Sequence, residues 1–143
     1  NKVIGKQKNK VNFQNDDLSE VVESRTFCLF EDIENIKKIG LAKGGSLDNA
    51  IVVDDNKVLN KDGLRNNKEF VNHKILDLAG DFMLSGFRVL GKVKCYQGGH
   101  ELTNIFLRKL IKQKLSYSII EVENKIISKK ISQFSPIKIA ANA

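Results

Sequence analysis

Apolar positions recur at helical spacing in two stretches of the chain and cluster at strand spacing in several others. Residues 68–84 form the stronger helical stretch. At about 100° per residue, Val71, Ile75, Leu78, Ala79 and Phe82 fall together on one side. On roughly the opposite side His73, Asp77 and Asp81 form a stripe that drifts by only about 40° per step, with Phe70 and Leu84 close to it. The apolar side is expected to pack on the core, so the imidazole and the two carboxylates point toward solvent, a cleft or another domain. Ser85-Gly86 supplies a glycine stop. A second helix is expected from His100, just after Gly98-Gly99, to about Lys114, with Leu102, Ile105, Phe106, Leu110 and Ile111 on one face.

The remaining patterns are shorter. Val3, Val11 and Phe13 predict two short strands joined by a turn near residues 5–9. Asp17 and Glu20 form a capping pattern that opens a short helix to about Ser24. Residues 26–30 are β-rich. Ile33, Ile36 and Ile39 then follow helical spacing up to Gly40, and Gly44-Gly45-Ser46 reads as a flexible connection. Residues 50–53 form a buried-type strand, with a hairpin turn into Val58-Leu59 and a further turn at Lys61-Asp62-Gly63. Residues 88–97, through Val89, Val93 and Cys95, and residues 117–122 predict two last strands. Beyond Glu123 the pattern weakens into a loose tail, residues 123–143. The sum predicts an α+β fold of two layers, a mixed sheet packed by two long helices, with residues 1–122 as one domain.

Composition narrows this picture. With 143 residues, 41% hydrophobic and 29% charged, the chain suits a soluble globular domain with one sizeable core. No apolar run approaches the roughly 18 residues of a membrane span, and no signal peptide is visible. The chain starts at Asn1, as expected of an excised piece or the back part of a longer polypeptide. The net charge of +7 suits nucleic acid, anionic lipid or a phosphorylated small molecule. A lysine-rich surface typical of a protein from an AT-rich genome is the plainer meaning, and the many Asn, Ile and Lys residues favour it. Cys28 and Cys95 are far apart and outside any CxxC pair, so reduced, buried thiols are expected.

A His and an Asp four apart on one helical face can ligate a single metal ion, although on spacing alone a solvated polar face is the commoner meaning. His73 and His100 are the two histidines, each near a helix start. A helix N-terminus disfavours an imidazolium and a nearby carboxylate such as Asp81 favours one, a pairing able to poise a general acid; a capping or surface histidine is the plainer alternative. Gly44-Gly45-Ser46 is no phosphate-binding P-loop, because no Gly-Lys-Ser/Thr follows it. Neither a Gly-x-Ser-x-Gly elbow nor a His-Glu-x-x-His motif occurs. A catalytic zinc site normally has three protein ligands, and if His100 handles protons the third is not in this chain.

Several strings converge on one family. Arg25-Thr26-Phe27, Asp32-Ile33-Glu34, Gly44-Gly45-Ser46, residues 50–54, Leu59-Asn60, Asp62-Gly63-Leu64-Arg65, Phe70-Val71, His73-Lys74, Leu76-Asp77, Gly80-Asp81 and Gly99-His100 resemble, in order, the C-terminal half of the zinc-dependent UDP-3-O-acyl-N-acetylglucosamine deacetylases of lipid A biosynthesis. The likeness runs from about Val3 to about Lys114, and the His-Lys-x-x-Asp-x-x-x-Asp signature is its most specific part.

The resemblance implies the second domain of a cytoplasmic two-domain enzyme of Gram-negative bacteria, its active site lying between the domains. His73 and Asp77 would be zinc ligands; the third ligand, a histidine, and a glutamate base would belong to the first domain, a necessary partner absent here. His100 matches the catalytic histidine, Asp81 the carboxylate that orients it, and Thr26 the residue holding the acetyl carbonyl. Lys74 matches a lysine beside the substrate's diphosphate. A β-α-β insert over about residues 26–53 would form the acyl-chain passage, with Ile33 and Val52 in its lining. Where the family has Lys-Ser-Gly-His, this chain has Gln97-Gly98-Gly99-His100, so a cationic phosphate contact is not carried over to that position. By this likeness the fragment alone is expected to be inactive, and contact with the anionic inner membrane is compatible with its charge. The alternative is a stand-alone basic module for phosphorylated ligands or nucleic acid. Against nucleic acid stand the acidic pair Asp77/Asp81 and aromatics at 7%, mostly Phe.

Overall fold

The structure, a computed structural model, describes residues 1–121. It divides into two compact units, Asn1–Asp77 and the part from Leu78 onward.

The first unit contains helix α1 (Ser19–Val22), strand β1 (Thr26–Leu29), helix α2 (Ile33–Lys38), strand β2 (Ala50–Asp54) and strand β3 (Lys57–Val58). Helix α3 (Glu69–Met83) begins in this unit and ends in the other. The sheet is mixed. β1 pairs parallel to β2 with Thr26 opposite Ala50, and β2 pairs antiparallel to β3 with Val53 opposite Val58. The parallel pair joined through α2 is the expected β-α-β insert, and the fold is α+β. β2 occupies the middle of the sheet, and its run Ile51-Val52-Val53 is buried. Such an unbroken apolar run is what a strand covered on both faces requires. Phe70 of α3 closes the core against Ile51 and Val53, with Phe27, Leu29, Val58 and Leu64 packed around them.

Asn60 ties the insert down. Its Oδ1 accepts the Val52 N–H at 3.0 Å, and its Nδ2 donates to the Leu47 and Ala50 carbonyls at 2.6 and 2.8 Å. The segment read as flexible is a hydrogen-bonded loop. The Ser46 N–H donates to Asn49 Oδ1 at 2.9 Å, and Asn49 Nδ2 donates to the Gly44 carbonyl at 2.9 Å.

The second unit holds the end of α3, helix α4 (His100–Lys112) and a 3-10 turn at Lys114–Ser116. α3 stops where expected: Gly86, at φ +78°, donates its N–H to the Met83 carbonyl, a left-handed turn that glycine makes without strain. Phe82 packs against Phe106 of α4 with ring centroids 5.9 Å apart.

Several sequence expectations are corrected. Residues 3–13 form turns and extended chain, not two strands. Residues 88–97 and 117–121 form no strand either; Val122 and the expected tail 123–143 lie outside the described residues. Alternation marks a face that can be buried, but a strand exists only with a hydrogen-bonding neighbour, and among the described residues the paired strands come from residues 26–58. Cys95 is consequently exposed rather than buried, while Cys28 on β1 is half-buried; both are free thiols. Burial pushes the Cys28 thiol up from its ordinary value, with Asp32 adding to the effect, so it is a poor nucleophile. The Asp17/Glu20 pattern does not close a capping box: Asp17 accepts the Ser19 N–H at 2.9 Å, one residue ahead of the position the pattern requires. The α3 face expected to be buried is only half covered at Val71, Ile75, Leu78 and Ala79, whereas Phe70, beside the polar stripe, is a core residue.

Candidate active site

His73 and Asp77 belong to the first unit. Their side chains are only 15% and 16% exposed, so the polar stripe is more sheltered than an outward-facing helix surface. His73 Nδ1 lies 3.1 Å from the Ser24 carbonyl oxygen. A carbonyl only accepts, so Nδ1 carries the proton and donates it there. That leaves Nε2 toward Asp77, whose Oδ1 is 3.2 Å away. A neutral imidazole lone pair facing a carboxylate oxygen needs a shared cation between or beside them, either a proton or a metal ion. The donor set and the carbonyl-held Nδ1 are those of a metal-ligating histidine with its supporting hydrogen bond. Among the described residues no group of three His, Cys, Asp or Glu side chains could hold a metal ion. His73 and Asp77 thus have the chemistry of a metal-ligand pair, and among the described residues no third such side chain joins them.

Lys74 flanks the pair. Lys74 Nζ is 3.2 Å from Asp77 Oδ2 and stands over the Phe27 ring, 5.3 Å from its centroid. The same ring meets Phe70 edge-on at 5.1 Å and His73 at 6.4 Å. Thr26 is exposed at the first position of β1. Of the residues assigned to the acyl passage, Val52 is buried in β2 and Ile33 is half-buried at the start of α2. Ile39, Leu41 and Leu47 around the same insert are exposed.

Asp81 and His100 belong to the second unit. His100 Nδ1 lies 2.8 Å from Asp81 Oδ1 and 3.0 Å from Oδ2, the contact expected from the sequence. Asp81 is 14% exposed and His100 is 69% exposed, so the carboxylate is fixed while the imidazole reaches outward. The loop before α4 places it. A Cβ on Gly98 would meet the Cys95 sulfur, which would have to turn aside. The Gly99 carbonyl then accepts both the N–H and the hydroxyl of Thr103, each at 3.0 Å, anchoring the first turn of α4.

The sequence reading missed a buried ion pair one helical turn before His73. Glu69, fully buried, accepts hydrogen bonds from Arg25 Nε at 2.8 Å, Arg25 Nη2 at 3.2 Å, the Arg25 N–H at 3.1 Å and the Arg65 N–H at 2.6 Å. Arg25 Nη2 also donates to the Gly63 carbonyl at 2.8 Å. Burial by itself would raise the Glu69 carboxyl, but these hydrogen bonds and the Arg25 charge bring it below its ordinary value. The Glu69 bond raises the Arg25 guanidinium in turn. The available signal was a charged residue immediately before each of two apolar core segments, Arg25 before β1 and Glu69 before Phe70.

Comparison with known proteins gives the family. Residues 1–112 match the family described as UDP-3-O-acyl N-acetylglycosamine deacetylase. A protein of Campylobacter jejuni subsp. doylei named UDP-3-O-acyl-N-acetylglucosamine deacetylase is 42% identical over 124 residues, covering 86% of this chain and 42% of that protein. Proteins of the same name are 44% identical in Nitratiruptor sp., covering 83% of this chain and 40% of theirs, and 46% identical in Saccharophagus degradans, covering 84% and 39%. The chain thus spans about two-fifths of the length of these relatives. With the match extending over residues 1–112, the chain belongs to the UDP-3-O-acyl-N-acetylglucosamine deacetylase family.

Proposed function

We propose that the chain is the second domain of a zinc-dependent deacetylase that hydrolyses the acetamide of UDP-3-O-acyl-N-acetylglucosamine, releasing acetate, in lipid A biosynthesis. In this reading residues 1–122 form that domain, with the insert at about residues 26–53, and a first domain of the same polypeptide completes the site. The observation that carries the reading is the contrast between the two histidine–carboxylate pairs. His73 is held by a carbonyl, which suits a neutral ligand, and His100 by a carboxylate, which suits a group that gains and gives a proton.

His73 Nε2 and Asp77 Oδ1 would hold zinc, with a third ligand from the first domain. When bound, zinc supplies Lewis-acid polarisation of the acetyl carbonyl and a water acidic enough to attack near neutral pH. Thr26 holds the acetyl carbonyl oxygen as charge develops on it. His100, oriented through Nδ1 by Asp81, presents Nε2 to the reacting amide. As the C–N bond breaks, the electron pair goes to nitrogen, and the proton from His100 Nε2 makes it an amine that can leave. Lys74 lies beside the substrate's diphosphate. Ile33 and Val52, with the exposed apolar residues of the insert, line the acyl-chain path.

A cytoplasmic location fits this substrate, and the positive charge suits transient contact with an anionic membrane surface. Among the described residues no helix is long and apolar enough to cross a membrane. The test is acetate release from UDP-3-O-acyl-N-acetylglucosamine together with metal analysis, on this chain with and without the first domain. Activity and about one zinc per molecule only with both domains present support the reading. A complete protein that binds the nucleotide sugar but releases no acetate would favour a binding module.

A further inference from the structure

The Arg25–Glu69 ion pair is the most deeply buried charged feature of the first unit, at 8% and 0% side-chain exposure, and the reaction above does not use it. Its position is specific. Glu69 is one helical turn before His73, and Arg25 stands between Ser24, whose carbonyl accepts the His73 proton, and Thr26. The Ser24 carbonyl and the Arg25 N–H belong to the same peptide unit, which is planar and rigid. That plane is held at both ends by α3: its N–H donates to Glu69 Oε1 at 3.1 Å, and its C=O accepts from His73 Nδ1 at 3.1 Å. The Arg25 guanidinium grips the same carboxylate through two further hydrogen bonds.

A buried ion pair is a poor source of net stability, because desolvation offsets most of the attraction and apolar replacements are often neutral. What an apolar pair cannot do is orient a peptide plane. We propose that Arg25 and Glu69 are positioning residues for the metal ligand: by fixing the Ser24–Arg25 peptide plane they keep the carbonyl aimed at His73 Nδ1, and so reserve Nε2 for the cation. The same grip fixes where β1, and with it Thr26, begins. This inference rests on the reading of His73 as a ligand.

The two histidines make the test direct. In the 15N-labelled chain, long-range nitrogen–proton spectra at about pH 8, where an ordinary histidine is neutral, report which nitrogen of each ring carries the proton. The wild-type chain is expected to show His73 as a single Nδ1–H tautomer. Arg25→Met/Glu69→Leu removes both charges without leaving either buried alone. It is expected to fold, to show His73 as a mixture of tautomers, and to leave the His100 pattern unchanged. Glu69→Gln, which keeps one acceptor, should fall between. In the two-domain protein the double variant should bind zinc about tenfold or more weakly, as for other losses of support behind a ligand. A double variant that unfolds cooperatively and keeps the single His73 tautomer overturns the proposal. So does loss of the fold in both variants, because the pair would then hold the fold and not the site. A wild-type two-domain protein that takes up no zinc, with the tautomer still sensitive to the pair, overturns the ligand assignment and leaves the grip on the peptide plane intact.

Discussion

His73 and His100 are each engaged at Nδ1, and the partner decides what the other nitrogen can do. The Ser24 carbonyl accepts from His73 Nδ1, which leaves Nε2 toward Asp77. The Asp81 carboxylate holds His100 at Nδ1, an arrangement that suits the proton-handling role proposed for it. Under the proposed function, His100→Ala in the two-domain protein is expected to lower the chemical step by about 10² to 10⁴ with zinc content unchanged. Asp77→Ala should reduce zinc content, and Asp81→Asn should retain zinc with a milder loss of rate. Metal analysis and single-turnover rates on the three proteins check this; zinc lost from His100→Ala but kept by Asp77→Ala would reverse the assignments. At this scale the helical spacing and the family motif named His73, Asp77, Asp81 and His100. Glu69 stayed hidden, because a glutamate at the start of a helix is ordinary in sequence, and only burial with four converging donors marks it out.

Helix α3 carries His73, Asp77 and Asp81 on successive turns because its pattern, its start near Glu69 and its glycine stop all agree. Strands depend more on partners. β2 forms from an apolar run with neighbours on both sides, whereas residues 88–97 have suitable alternation and no paired strand among the described residues. Asn60 replaces part of a strand's pairing with its side chain, so Asn60→Ala should expose or orphan three backbone groups of the insert. A loss of roughly 1–3 kcal/mol is expected, measured as a lower urea midpoint with an unchanged slope. An effect within about 0.3 kcal/mol would mean that the loop is indifferent to this side chain. Phe70→Ala, which empties the centre of the core, should cost about 3–5 kcal/mol by the same measurement.

For the whole molecule, acid is a sensitive probe. The Glu69 carboxyl is lower in the folded protein than its ordinary value, so protons bind the unfolded chain more tightly. Its contribution is complete above the ordinary glutamate value, about 4.3, and is lost as pH falls through the lower folded value. Melting temperature should therefore fall on the acid side of that value, and less steeply in Arg25→Met/Glu69→Leu; equal slopes would remove Glu69 as a contributor. Residues 1–143 alone are expected to bind zinc weakly, since two ligands leave the ion under-coordinated; tight stoichiometric zinc in this chain would contradict that. The order of the long helices, the strand–helix–strand succession over residues 26–54 and the family motif were legible in the sequence, because each rests on local spacing or a local motif. Tertiary structure alone decided which strands pair, that Phe70 rather than Val71 or Ile75 fills the core, and that the Ser24–Arg25 peptide plane bridges Glu69 and His73. Those depend on groups 44 and 49 residues apart in the chain meeting in space, and neither periodicity nor composition specifies such a meeting.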